Sequence, residues 1–300
     1  MIDRFKRNGA DLVNLFAVPI LIAAMPWRIG FRVLKWMARR DCDRIAEIDQ
    51  AWQAAVLHLV DEDAAEWKWR FRLLQLLERV DVWLVLLRSS RWWKAQIHQK
   101  GQWPDTIGPG LLLTYHWGGG QWIWRQLSEH GVKAHFVARR AHVIDLGAGR
   151  IALWYAWVRQ FGLDRQGCEP TIFAGGGSKR IRAAFDAGHS VVGMLDLPAA
   201  DGHATLQRPL LDGTVAIPFG LAKLAIESAV PVVLFSCSFD VITGKRLLTI
   251  EPLERDADLE AVATRYIEHL DHCLECEPAF WQLWSSASRM FVVSNPTQGT

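Results

Sequence analysis

The order of apolar segments predicts an α/β protein with a mixed, largely parallel sheet that is covered by helices on both faces. From residue 111 onwards, short apolar runs alternate with longer segments of helical periodicity, as in folds whose strands are joined by crossover helices. The chain has 300 residues, half of them hydrophobic. That is enough for one large α/β domain, or for one domain with an appended helical region.

The individual elements follow from the apolar pattern and from the turn residues between the runs. Strands are expected at Leu111–Tyr115, Ala134–Ala138, Thr171–Phe173, Ser190–Leu195, Val232–Cys237 and Arg246–Ile250. Helices are expected at Gln121–Glu129, Gly149–Phe161, Ser178–Ala187, Pro218–Ser228 and Ala257–Cys276, with a short terminal helix at 278–291. Asp212-Gly213 is a two-residue turn signal and predicts a hairpin.

The N-terminal part of the chain divides into two predicted regions. Residues 1–40 contain the apolar run Leu12–Trp27, which has arginines and lysines on both sides and is interrupted by Pro19 and Pro26. The run is shorter than the ~20 residues that span a bilayer, so we expect a membrane-surface or half-inserted anchor. A tilted span and a buried helix of a soluble protein are the alternatives.

Residues 41–100 form the second predicted region, which is helical and packs on the α/β domain of residues 101–300. Its longest helix is expected from Ala64 to Ile97, and the segment Gly101–Gly110 is the linker. The chain has 16 Trp and only 3 Tyr. Indole rings favour the membrane–water interface, and the alternative for them is a Trp-rich core.

Charge and cysteine content exclude several classes of protein. The net charge is only +2, and no basic stripe is interleaved with aromatic residues, so a nucleic-acid partner is not expected. The 5 cysteines are scattered, which indicates a reducing compartment and no disulfide framework. His269, His272, Cys273 and Cys276 lie in one helical segment and do not converge as zinc ligands do, so no metal is expected.

The strongest functional signal is the stretch from Leu111 to Trp124. An apolar strand ends in His116, three glycines follow at Gly118, Gly119 and Gly120, and a Trp-rich helix begins near Gln121. The carboxyl end of a strand that faces a glycine-rich turn is where α/β folds bind ligands. Imidazole is suited to accept a proton from a hydroxyl near neutral pH. The alternative is a core histidine beside a tight turn.

Other candidate residues lie further along the chain. Asp196 follows the strand Ser190–Leu195, so it could face the same site or could cap a turn. Lys179 and Arg180 follow a glycine-rich turn that could bind phosphate, although the spacing of a P-loop is absent and a solvated loop is the alternative. Arg208 precedes the predicted hairpin and could face the site.

His116 and the polar residue five positions later resemble the H-x4-D/E motif of membrane glycerolipid and lipid A acyltransferases. The order of the later elements resembles the late lipid A acyltransferases of the lauroyl/myristoyl transferase type, over residues 10 to 295. This resemblance implies a glycerolipid acyltransferase-like fold with membrane-associated N-terminal helices. The chain departs from the family in two places. Gln121 replaces the motif acid, and serines stand where the terminal Pro-x-x-Trp segment has a histidine.

The resemblance also implies an activity. A fatty acyl group would move from acyl carrier protein or coenzyme A to a hydroxyl of a lipid, glycolipid or hydrophobic metabolite, at the cytoplasmic face of a bacterial inner membrane and without a cofactor. His116 would act as general base. The amides of the three glycines, or Arg139 and Arg140, would stabilise the oxyanion. Because Gln121 cannot supply a charge, Asp196 is the best candidate for an acid that reaches His116.

Two other functions remain open at this stage. Gln121 and the missing terminal histidine favour a protein of this fold that has lost transfer activity and serves as a lipid-binding or assembly subunit. A soluble α/β hydrolase is disfavoured, because the sequence lacks a G-x-S-x-G nucleophile elbow.

Overall fold

A computed structural model describes residues 8–104, 108–138, 149–173, 176–199 and 204–292. The predicted α/β class is confirmed: the core is a seven-stranded mixed sheet, mostly parallel, with helices against it. The segment with Arg139 and Arg140 lies outside the described residues, so the structure does not test their predicted role.

Apart from β1, the strands agree closely with the prediction. They are β1 (Ile97–Lys100), β2 (Leu111–Thr114), β3 (Ala134–Ala138), β4 (Cys168–Phe173), β5 (Ser190–Met194), β6 (Leu206–Leu210), β7 (Gly213–Ile217), β8 (Val232–Phe239) and β9 (Arg246–Pro252). The sheet order is β1-β9-β8-β2-β5-β3-β4, and β6 and β7 form a separate antiparallel hairpin. Within the sheet only the β8–β9 pair is antiparallel. The fully buried strand β2 therefore lies between the parallel strands β8 and β5.

Ten α-helices occur in the described residues. They are α1 (Val18–Ala24), α2 (Trp27–Asp41), α3 (Ala46–Ala55), α4 (Ala64–Leu87), α5 (Ser90–Ala95), α6 (Ile123–Glu129), α7 (Arg150–Arg165), α8 (Ser178–Asp186), α9 (Gly220–Glu227) and α10 (Leu259–Cys276). A π-helical turn at Val13–Ala17 leads directly into α1, and a 3₁₀ turn at Gly120–Trp122 precedes α6.

The predicted helix from Ala64 to Ile97 is divided, and its end is a strand. Asp63 caps α4 by accepting a hydrogen bond from the Glu66 amide at 2.8 Å, and the Ser89 side chain caps α5 in the same way. The chain then pairs β1 with β9 in parallel. A local cap and a long-range strand partner thus override the helical pattern of this region.

The predicted terminal helix at 278–291 is also wrong. Two 3₁₀ segments, Pro278–Phe280 and Trp284–Arg289, stand in its place. The backbone between them pairs with the loop after β2 instead. Trp281 forms an isolated antiparallel β-bridge with Trp117, and the backbone N–H of Gln282 donates to the His116 carbonyl at 2.8 Å. This segment therefore supports the loop after β2.

The N-terminal helices belong to the hydrophobic core. Ile22, Phe31 and Leu34 are each at most 2% exposed and join the same cluster as the sheet residues. Within the described ranges, none of the helices combines the length and the hydropathy that a bilayer crossing requires. The outward face of α2 nevertheless carries Arg28, Ile29, Arg32 and Trp36, all exposed.

Most of the tryptophans are core residues. Eleven of the 16 are buried, including Trp67, Trp122, Trp281 and Trp284. The exposed ones are few and lie on helices: Trp36 on α2, and Trp154 and Trp157 on α7, are each more than half exposed. The Trp excess as a whole therefore reflects packing, and only this small subset is available to an interface.

Candidate functional site

His116 and Asp196 come together because of strand register. In the parallel β2–β5 pair, Thr114 lies opposite Met194, and the two functional residues each follow two positions later. Asp196 Oδ1 is 3.0 Å from His116 Nδ1, and Asp196 Oδ2 accepts the His116 backbone N–H at 2.8 Å. The predicted approach of Asp196 to His116 is thus confirmed. The two residues form a dyad at the carboxyl end of the sheet.

The Asp196 carboxylate is completely buried, and further hydrogen bonds hold it in place. Oδ2 also accepts a hydrogen bond from the Trp281 indole at 2.9 Å. The Tyr266 hydroxyl accepts the amide N–H groups of Leu195 and Asp196 at 2.9 and 3.1 Å and donates to the Thr114 carbonyl at 2.9 Å. Asp196 Oδ1 also lies 3.4 Å from the Tyr266 hydroxyl, so the carboxylate that contacts the imidazole is itself held by several groups.

The two nitrogens of the His116 ring have different surroundings. Nδ1 is engaged by Asp196, and the side chain is 27% exposed, on the wall of a cavity. Among the described residues Nε2 has no partner. Desolvation lowers the pKa of His116, but the charge and hydrogen bond of Asp196 and the charge of Glu78 outweigh it and raise the pKa above the ordinary 6.5. A sealed core histidine, the alternative from the sequence, does not fit this position.

The cavity beside His116 has a volume of about 320 Å³. Its polar wall is formed by Glu78, Gly118, Gly120, Gln121, Gln282 and the exposed Arg159 as well as His116. Its apolar wall comes from α6, α7 and the sheet: Ile123, Trp124, Phe136, Leu163, Val192, Met194 and Phe235. A polar end with a reactive imidazole and an apolar remainder suits an amphiphilic ligand.

The glycine segment is tightly built, and this corrects the predicted oxyanion site. The amides of Gly118 and Gly119 donate to the carbonyls of Phe280 and Cys237 at 2.9 and 2.8 Å, so neither is free for a ligand. Gly118 has φ +71°, and a Cβ there would lie 2.1 Å from the Cys237 oxygen. Glycine is required at this position by the close approach of two backbones.

Gly120 differs from its two neighbours. Among the described residues its N–H has no hydrogen-bond acceptor, and the residue lines the cavity at the start of the 3₁₀ turn. A Cβ added at Gly120 would meet no atom within 4 Å. Of the three predicted amides, only that of Gly120 is placed to meet a ligand oxygen.

Gln121 lines the cavity but does not take the role of the missing acid. It is 8% exposed, and within the described part of the chain no hydrogen bond joins it to His116. Its neighbour Trp122 packs on the Arg246 guanidinium at 4.4 Å, and Arg246 is paired with Asp81 in the core. This buried ion pair fixes the turn that carries Gln121.

The other predicted binding residues are not at the cavity. Lys179 and Arg180 are exposed in the first turn of α8, a helix that packs against β5, and neither lines the cavity. The Arg208 guanidinium pairs with Glu260 of α10, away from the cavity wall. None of these three side chains lines the cavity beside His116, and their contact with a substrate stays a prediction.

Three polar residues of the site were not predicted from the sequence. Glu78 lies in the middle of α4, Arg159 on α7 and Gln282 between the two terminal 3₁₀ segments. Glu78 and Arg159 stand in apolar, Trp-rich helices, where a single polar residue is a weak signal of function. No protein-family model matches the chain, and no curated protein sequence is significantly similar to it.

Proposed function

We propose that the protein is a membrane-associated O-acyltransferase that moves a fatty acyl group from a thioester, carried by acyl carrier protein or coenzyme A, to a hydroxyl of a lipid, glycolipid or hydrophobic metabolite. The observation that carries the proposal is the His116–Asp196 dyad on the wall of a partly apolar cavity, with no partner for Nε2 among the described residues. A buried carboxylate on one imidazole nitrogen leaves the other as a proton acceptor, which is the arrangement of a general base.

The positions of these groups support the following reaction. Nε2 of His116 removes the proton of the acceptor hydroxyl as its oxygen attacks the thioester carbonyl. Asp196 stabilises the imidazolium that forms, and the Gly120 amide donates to the oxyanion. When the C–S bond breaks, the thiolate takes the proton back from His116. The apolar wall would bind the acyl chain, each buried methylene contributing about 0.8 kcal/mol.

Membrane association is supported by helix α7, which lines the cavity with one face and exposes aromatic side chains on the other. Arg159 and Leu163 of α7 line the cavity. Trp154, Trp157 and Phe161, here called the aromatic ridge, are 59%, 63% and 45% exposed on the same helix. Indole rings at a bilayer interface, one helix diameter from the cavity, would bring a lipid acceptor next to His116.

The activity is tested with purified full-length protein in detergent. Acyl carrier protein and coenzyme A thioesters are offered with a bacterial lipid extract, thiol release is followed, and acylated products are identified by mass spectrometry. We expect wild-type turnover to be lost in His116→Ala and retained in the matched variant His98→Ala, whose side chain is exposed on β1. Turnover that survives His116→Ala contradicts the proposal. Lipid binding without turnover favours the alternative of a lipid-binding or assembly subunit.

Membrane association is tested on the aromatic ridge. Removing residues 1–40 would expose the core that Ile22, Phe31 and Leu34 help to form. The double variant Trp154→Ala/Trp157→Ala changes only exposed side chains and is therefore a better test than the deletion. Its control is Leu57→Ala/Val60→Ala, which truncates two other exposed apolar residues. We expect the first to reduce co-sedimentation with phospholipid vesicles severalfold and the second to leave it unchanged. Equal binding by both variants would exclude the ridge as the contact.

A further inference from the structure

The polar wall of the cavity contains the carboxylate of Glu78, and only one of its two oxygens accepts a hydrogen bond from a described residue. Glu78 Oε1 accepts a hydrogen bond from Gln282 Nε2 at 2.9 Å. The same nitrogen donates to the Gly118 carbonyl at 2.9 Å, so both amide hydrogens of Gln282 are used. Among the described residues, Glu78 Oε2 and the Gln282 carbonyl oxygen have no donor. The wall therefore offers hydrogen-bond acceptors to a ligand.

Among the described residues, Glu78 also has no counterion in contact with it. No arginine, lysine or histidine nitrogen there lies within ion-pair distance of its carboxylate, and Arg159, which lines the same cavity, acts on it through its charge without forming an ion pair. Burial raises the pKa of Glu78, and the charge of Arg159 and the bond from Gln282 only partly oppose this. A half-buried carboxylate without a cation is costly, and a bound cation would relieve that cost.

His116 adds a third acceptor to the same space. Its Nε2 accepts a proton in the proposed reaction, so a substrate hydroxyl would direct its one hydrogen there. A ligand that also satisfies Glu78 and the Gln282 oxygen needs further donors on a neighbouring atom. An ammonium group supplies three donors and a positive charge, whereas a second hydroxyl supplies one donor and no charge.

We propose that Glu78 selects an amino alcohol as the acyl acceptor, with the ammonium group on Glu78 and the adjacent hydroxyl on His116. This inference rests on the proposed function and names the acceptor class for that site. The hydroxyl oxygen forms the new ester bond, its proton passes to His116 and then to the departing thiolate, and the ammonium group is unchanged. Glu78 binds the acceptor and takes no proton in the reaction.

The inference is tested by binding, without an acyl donor. Isothermal titration of the full chain with 2-amino-1-hexanol and with 1,2-hexanediol, at pH 7.5 and matched ionic strength, compares an ammonium with a hydroxyl on the same scaffold. We expect the wild type to bind the amino alcohol at least about tenfold more tightly, the ratio that one charge-assisted hydrogen bond provides. Glu78→Gln should reduce the ratio to about one.

Two further variants control the comparison. Glu47→Gln removes an exposed carboxylate on α3 and should keep the wild-type ratio. Glu78→Asp keeps the charge and should keep part of the preference. A general loss of folding in Glu78→Gln would abolish the binding of both probes, whereas the loss of the charge alone keeps the binding of 1,2-hexanediol. Equal binding of both probes by the wild type, or an unchanged preference in Glu78→Gln, overturns the inference.

The outcome is independent of the activity test. A preference for the amino alcohol that depends on Glu78, in a protein without thioester turnover, would contradict acyl transfer and leave the cation site intact. Turnover that depends on His116, with no preference between the two probes, would leave acyl transfer intact and remove the proposed role of Glu78.

Discussion

The two sides of the His116 imidazole differ in how completely their polar atoms are hydrogen-bonded. Behind the ring, the oxygens of Asp196 accept bonds from His116 and Trp281, and Tyr266 joins the neighbouring backbone groups. In front of the ring, Glu78 Oε2 has no donor among the described residues. Because unpaired polar groups in a closed space are costly, the rear side is built to hold geometry and the front side to receive a ligand.

Asp196→Asn tests the rear side most severely. An amide at this position can turn its NH2 toward Nδ1 and favour the wrong tautomer of His116, and the analogous change in serine proteases costs about 10⁴ in rate. We expect thioester turnover to fall by about 10³ to 10⁴ while the circular dichroism spectrum is retained. Asp256→Asn, an exposed substitution, is the control. A loss of less than tenfold would mean that Asp196 does not orient the base.

Tyr266→Phe has a large effect on stability. The change leaves the amides of Leu195 and Asp196 and the carbonyl of Thr114 without their buried partner. At about 1–3 kcal/mol for each buried group left unpaired, and with some relaxation, we expect the free energy of unfolding in urea to fall by about 2–4 kcal/mol. Tyr155→Phe on α7 should change it by less than about 1 kcal/mol. A loss of less than about 1 kcal/mol in Tyr266→Phe would show that the hydrogen bonds of the Tyr266 hydroxyl contribute little to stability.

The pH dependence of turnover depends on Asp196 behind the His116 ring and on Glu78 in front of it, because both raise the pKa of His116. A general base works when neutral, so the rate should fall as the pH drops through the pKa of His116. Although desolvation lowers this pKa, Asp196 and Glu78 raise it above 6.5, so the acidic limb of the wild-type profile should lie above pH 6.5. Glu78→Gln removes one of these charges and should move the limb to lower pH. A limb that moves upward would contradict the assignment.

Gln121→Glu should have the smallest effect. Because Asp196 already holds Nδ1, the dyad does not need an acid at position 121. We expect turnover equal to or higher than that of the wild type, or at most about threefold lower, measured as kcat/KM with one thioester donor. A larger loss would show that the amide contacts the substrate, which would move Gln121 from the cavity wall into the reaction itself.

The sequence was sufficient for most of the sheet and for the two candidate residues of the dyad, because buried strands leave a local pattern. Buried strands are visible as apolar runs, and the ends of parallel strands β2 and β5 meet at one edge of the sheet, so His116 and Asp196 could be paired before the structure was known. The position of β1 could not be predicted, since its partner β9 lies far away in the chain.

The front wall could not be predicted for a similar reason. Glu78, Arg159 and Gln282 come from three distant elements, and only packing brings them to one cavity. The amides of Gly118 and Gly119 seemed available from the sequence, but backbone carbonyls of Phe280 and Cys237 take them. Hydrogen bonds between remote backbone segments leave no trace in a local sequence pattern.

The tautomer of His116 tests most directly the claim that Asp196 holds this imidazole as a general base. Histidine labelled with nitrogen-15 is incorporated into the full chain, and the His116 signals are assigned by their absence in His116→Ala. At a pH above its pKa, the account predicts a proton on Nδ1, bound to Asp196, and a bare Nε2 in the cavity. A neutral ring with its proton on Nε2, or an even mixture of the two tautomers, would contradict the claim that Asp196 fixes His116 as a general base.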